Sequence, residues 1–98
     1  MIKVYVEKKD NKIQEVLFKG HALYDEFGKD IVCASVSSIV ITTINGILSI
    51  DKDAIVYEEK PNLKITFIKN DDCYKLLLNM INLLKELEHD YPKNIKIL

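Results

Sequence analysis

Two histidines and two cysteines are the side chains in this 98-residue chain suited to nucleophilic or metal chemistry at neutral pH: His21, Cys33, Cys73 and His89. Cys73 falls in a run, Cys73-Leu76-Met80-Leu83-Leu87, whose 3-4-3-4 spacing is one apolar helix stripe, and a cysteine there acts as a small apolar side chain. His89, between Glu88 and Asp90, is expected at the carboxyl end of the same helix, where a basic group is favoured without any function. The four show no metal-ligand spacing, so neither a metal nor another cofactor is expected. His21 and Cys33 stand in a different setting. Cys33 lies in the first turn expected of a helix that follows Asp30, where unpaired amides and a partial positive charge favour thiolate over thiol. An imidazole brought over that helix end could exchange a proton with the sulfur, and the same amides could hold an oxyanion.

Two accessory residues belong to this picture. Asp30 suits an N-cap, because its carboxylate can accept from the exposed amides; it could instead orient His21, provided it points away from the thiol. Ser37, four residues after Cys33, shares its helical face, or is a helix serine bonded back to a carbonyl. Spacing alone leaves the pair of His21 and Cys33 a possibility.

The elements that must position these residues are legible in outline. Ile2, Val4 and Val6 alternate with Lys3, Tyr5 and Glu7, the period of a half-buried strand, and Asp10-Asn11-Lys12 supplies turn chemistry before a second strand from Ile13 to Lys19. Gly20 and Gly28 bracket the segment carrying His21, giving it freedom to fold back. From Ile31 to Ile50 there is no charge, too long a run for a strand, so it is expected to form a helix apolar on most sides and buried between a sheet and something else, which could be a second subunit. Its serines, threonines, asparagine and glycine suit it poorly to a bilayer, and no membrane association is expected. A second hairpin is expected from Ala54–Glu59 and Leu63–Ile68 around Lys60-Pro61-Asn62. A second helix, capped at Asn70-Asp71-Asp72, should reach about Glu88, with Ile95–Leu98 extended and docked on a sheet edge or a partner. The order ββαββα predicts an α+β two-layer sandwich, a mostly antiparallel sheet with two helices, as a single domain over 1–98.

Composition narrows the function classes. A net charge of −1 gives no general attraction to nucleic acid or acidic lipid, and all 14 basic residues are lysine, so no guanidinium fork can read phosphate or guanine. No direct nucleic-acid partner is expected. The alternating amino terminus is unlike a secretory signal, which points to a cytoplasmic protein with free thiols.

Gly20-His21-Ala22, followed by Gly28-Lys29-Asp30-Ile31-Val32-Cys33-Ala34-Ser35-Val36-Ser37, resembles the signature of the bacterial ribosomal-processing cysteine protease family, Prp. That pattern runs G-H-A, a short loop, then G-x-D-I-V-C-A-a-x-S; Ser35 stands where alanine is usual, and a small residue is kept. The resemblance extends over nearly the whole chain through the order of its elements. It implies a cytoplasmic endopeptidase, homodimeric, that removes the N-terminal extension from a precursor of large-subunit ribosomal protein twenty-seven. It also implies Cys33 as nucleophile and His21 as its proton-transfer partner. Two other readings compete. A non-catalytic ribosome-assembly or peptide-binding factor would hold such an extension uncut, with Cys33 a small buried residue and His21 a loop contact. A redox-sensing thiol would want a resolving cysteine nearby, and the sequence offers none close to Cys33.

Overall fold

A computed structural model of the chain describes residues 1–20 and 30–98, with the side chain of Asp30 outside that set. Strands β1 (Ile2–Lys9) and β2 (Lys12–Lys19) form the first hairpin. Its two turn residues, Asp10 and Asn11, both take positive φ (54° and 65°), the conformation whose twist matches the flanking strands and which Asp and Asn tolerate. The register slips between Glu7 and Lys8, where Gln14 is the extra residue. That bulge is why Ile13, three residues rather than two before Val16, still faces the core.

Helix α1 (Asp30–Ile50) crosses the sheet, β3 (Ile55–Glu58) and β4 (Leu63–Phe67) form the second hairpin, and helix α2 (Asp71–Asp90) leads to β5 (Ile95–Ile97). The strand order is β3-β4-β2-β1-β5. All pairs are antiparallel except β5, which lies parallel to β1 with Ile2 opposite Ile95. The α+β two-layer sandwich expected from the sequence is therefore the fold, and the carboxy-terminal residues extend its sheet by a fifth strand.

Both helices lie on one face of the sheet. Ile2, Val4, Val16, Phe18, Ile65 and Ile95 point to them, and α1 answers with Val32, Val36, Val40, Ile44 and Ile47. The opposite face is open to water, where Lys64 pairs with Glu58 at 3.4 Å and lies 4.0 Å from Glu15. Tyr74 of α2 fastens its helix to the hairpin: its hydroxyl accepts from the Ile13 N–H at 2.7 Å, and its ring meets Phe67 edge-on at 5.0 Å.

One expectation about the helices needs correction. The core face of α2 is Cys73, Leu77, Met80, Ile81 and Leu84. Leu76 and Leu87 are half-buried and Leu83 is 39% exposed, so the predicted 3-4-3-4 stripe coincides with the true face only at Cys73 and Met80. Leucines crowd both stripes, and period alone does not choose between neighbouring faces of so apolar a helix. In the single chain, α1 is covered on its sheet side and leaves Ile31, Ile41 and Ile50 each more than half exposed, because a two-layer fold covers one side of a helix.

The helices are joined where α1 ends and α2 begins. Asn70, at φ 90°, caps α2 by accepting the Cys73 N–H at 3.1 Å and donates its amide to Asp51 Oδ2 at 3.2 Å. Asp51 Oδ1 in turn accepts the Asp53 N–H at 2.9 Å. These bonds, the Asp53 N–H first and the Asn70 amide second, hold the Asp51 carboxyl below its usual range.

Candidate active site

Cys33 is the fourth residue of α1, within the turn whose amides lack carbonyl partners inside the helix. It is half-buried and opens on a groove of about 180 Å³. Phe18, where β2 ends, Val36 and Val40 of α1 and Leu63 of β4 make the groove apolar, while Glu59 and Asn62 of the β3–β4 connection give it a polar rim. A peptide in such a groove would be held by apolar contact with little competition from water, which suits attack on an otherwise unreactive amide.

Gly20 lines the same groove. Its φ of 80° is open to glycine, and a Cβ there would overlap the Met1 carbonyl oxygen. Glycine is thus required by both dihedral and contact where β2 runs out, one residue before His21. His21 itself lies outside the described residues, as does Gly28. Asp30 is the first residue of α1; its side chain, on which the choice between cap and orienting group depends, is also outside them. Ser37 is exposed and lines the groove beside Cys33, as their spacing of four predicts. The back-bonding serine of this turn is Ser35, whose hydroxyl donates to the Ile31 carbonyl at 2.8 Å.

The other two candidates are structural. Cys73 is fully buried, with Sγ 3.7 Å from the Ile47 carbonyl oxygen, and burial, aided by the Asp51 and Asp72 carboxylates, pushes its thiol up. His89 is exposed in the last turn of α2, 3.4 Å from the Asp90 carboxylate. Among the described residues, no three His, Cys, Asp or Glu side chains are grouped to hold a metal ion. The β3–β4 connection was missed as part of the site. Lys60-Pro61-Asn62 announces only a turn, and nothing local says that it faces Cys33, 27 to 29 residues earlier in the sequence.

Comparison with known proteins agrees with this geometry. The family profile for cysteine protease Prp matches residues 1–96. A ribosomal processing cysteine protease Prp from Mycoplasma genitalium is 34% identical over 83 residues, covering 81% of each chain. A crystal structure of an essential ribosomal processing protease Prp from S. aureus in complex with a substrate peptide superposes with a TM-score of 0.90 at 27% identity, over 100% of this chain and 98% of that one. A second structure of that protease, with a covalently linked product peptide, gives 0.88 at 28% identity over 99% and 97%. Of the readings open from the sequence, the enzyme is thus the one supported: the chain belongs to the Prp family of cysteine proteases.

Proposed function

We propose that this protein is a cytoplasmic endopeptidase that removes the N-terminal extension of large-subunit ribosomal protein twenty-seven, with Cys33 as nucleophile and His21 as its proton-transfer partner. One observation carries the reading: Cys33 sits in the amide-rich first turn of α1 at the wall of an apolar groove that Gly20, the residue bonded to His21, also lines. Relatives named for ribosomal processing support the substrate class.

In this mechanism the Cys33 thiolate adds to the scissile carbonyl carbon, and amides at the start of α1 donate to the oxyanion. Collapse breaks the C–N bond as the His21 imidazolium protonates the departing amine, leaving a thioester on Cys33. His21 then takes a proton from water, which attacks the thioester and releases the new carboxylate and the thiolate. Asp30 and Ser37 are supporting groups at the same helix end. No metal or cofactor takes part in any step.

The test is incubation with the full-length ribosomal protein followed by intact-mass measurement of the products. Wild type is expected to release one amino-terminal fragment; Cys33→Ala abolishes cleavage and His21→Ala reduces it by at least 100-fold. Cleavage by Cys33→Ala at the wild-type rate would overturn the assignment. The homodimer is proposed through the apolar face where α1 and α2 leave Ile31 and Leu83 uncovered. Sedimentation of wild type as a dimer and of Leu83→Lys as a monomer is expected, and a monomeric wild type would refute it.

A further inference from the structure

The groove at Cys33 does not end where the thiol does. On α1, Cys33, Ser37, Ile41 and Asn45 follow at intervals of four, so they form one line along the helix. Cys33 and Ser37 face the first cavity, Ile41 faces both it and a second cavity of about 300 Å³, and Asn45 faces the second. Glu59 and Leu63 are common to the two cavities, and Tyr57 of β3 closes the far one. Together they make a continuous trench between α1 and β3. At 1.5 Å per helical residue, the stretch of trench at Ile41–Asn45 lies about 12–18 Å from Cys33. An extended peptide covers that distance in about four to five residues.

Among the described residues, the outer side of the trench is an open sheet edge, where strand β3 pairs only with β4 at the end of the sheet. The Ile68 N–H donates to the Ala54 carbonyl, and the register continues this pairing at Val56–Thr66 and Glu58–Lys64. The alternation of an antiparallel ladder then turns the N–H and C=O of Ile55 and Tyr57 away from β4. Val56 and Tyr57 are exposed at 54% and 42%. The opposite edge is treated differently: on β5 the Ile97 N–H is taken by Glu88 Oε2 at 2.8 Å. A helix-side apolar trench beside strand groups that no described residue pairs is the arrangement that binds an extended peptide as an added strand.

We propose that the substrate pairs with the backbone of Ile55 and Tyr57 as a sixth strand, and that Ile41 and Tyr57 hold an apolar substrate side chain four to five residues from the scissile bond. The inference rests on Cys33 being the nucleophile. It adds a specificity site remote from the chemistry, and it explains why Ile41, at 55% exposure, remains apolar on a surface helix. Ile41 is a positioning residue, since it touches substrate well away from the reacting atoms.

The test uses the full chain as Cys33→Ala with a synthetic peptide spanning the extension and the residues that follow it. Amide hydrogen exchange is followed residue by residue. The Ile55 and Tyr57 amides should slow at least tenfold at saturating peptide, while Val56, already bonded to β4, changes little. A peptide that binds without slowing them, or does not bind, overturns the proposal. So does protection that appears without peptide and grows with protein concentration, which would give the edge to a second copy. In the active enzyme, Ile41→Asn should raise KM about tenfold, with the loss falling on KM rather than kcat. A polar replacement four or five residues from the cut, on one flank only, should do the same; a scan of both flanks with no such position overturns the trench. If wild type cleaves nothing, the protease reading fails separately, because exchange in Cys33→Ala depends on binding alone.

Discussion

Replacing Gly20 by alanine joins the fold to the site in one atom. Gly20 sits at φ 80°, where an L-residue pays about 1–2 kcal/mol relative to its ordinary conformations. The new Cβ would also overlap the Met1 carbonyl oxygen, a backbone atom, so no flexible side-chain tip can move aside to relieve it. The start of β1 must shift, yet Ile2 is buried and its N–H is bonded to the Asn94 carbonyl at 2.9 Å. Forcing extra volume into such a place costs about 1–3 kcal/mol. Together the loss is about 2–5 kcal/mol, a large share of the 5–15 kcal/mol typical of a small domain. With an m-value of about 1–1.5 kcal/mol/M, the urea midpoint should fall by about 2 M. Lys19→Ala, one residue earlier and exposed, should stay within about 0.5 kcal/mol. The cleavage assay, run well below the unfolding midpoint, should show Gly20→Ala losing kcat/KM beyond its unfolded fraction, since the shift occurs in the wall of the Cys33 groove. A midpoint within about 0.3 M of wild type would refute the steric argument. A destabilised variant with full activity per folded molecule would refute its link to the site.

Three further outcomes follow from other parts of the molecule. Leu84→Ala should cost about 2–5 kcal/mol and Leu83→Ala less than about 1, measured by urea unfolding; equal losses would mean the buried face of α2 is wrongly placed. Asp51 loses its proton more readily in the folded chain than in the unfolded one. Its contribution is therefore complete above the unfolded carboxylate value of about 4 and disappears as pH falls through the lower folded value. The stability gap between wild type and Asp51→Ala should accordingly narrow on acidification, and a gap independent of pH would contradict the bonds to Asp53 and Asn70. Iodoacetamide on the native protein should add one group, at Cys33, and abolish cleavage, with Cys73 reacting only after unfolding; mass spectrometry of the digested protein decides it.

Local patterns announced most of the elements. Alternation gave β1, the Asp10-Asn11 pair gave the turn, and Asn70 gave the cap of α2, because each depends on neighbours in sequence. What those patterns lacked was information about distant neighbours. The placement of β4 beside β2 carries the β3–β4 connection to Cys33, and nothing within Ala54–Ile68 encodes it. The same limit misplaced the face of α2: Leu83 looks like a core residue, and only the position of the sheet shows that it is not. At the site, the Cys33–Ser37 spacing predicted a shared face, and both line the groove. The contribution of Glu59, Asn62 and Leu63 came only with the tertiary fold.

The parallel union of β1 with β5 has a bearing on biogenesis. Ile2 and Ile95 are partners, so an emerging nascent chain cannot complete its sheet until almost all of these residues have been translated and have left the exit tunnel. Ile2 also borders the groove that Cys33 lines. Proteolytic competence would accordingly arrive late in synthesis, sparing half-made copies from acting on polypeptides growing nearby.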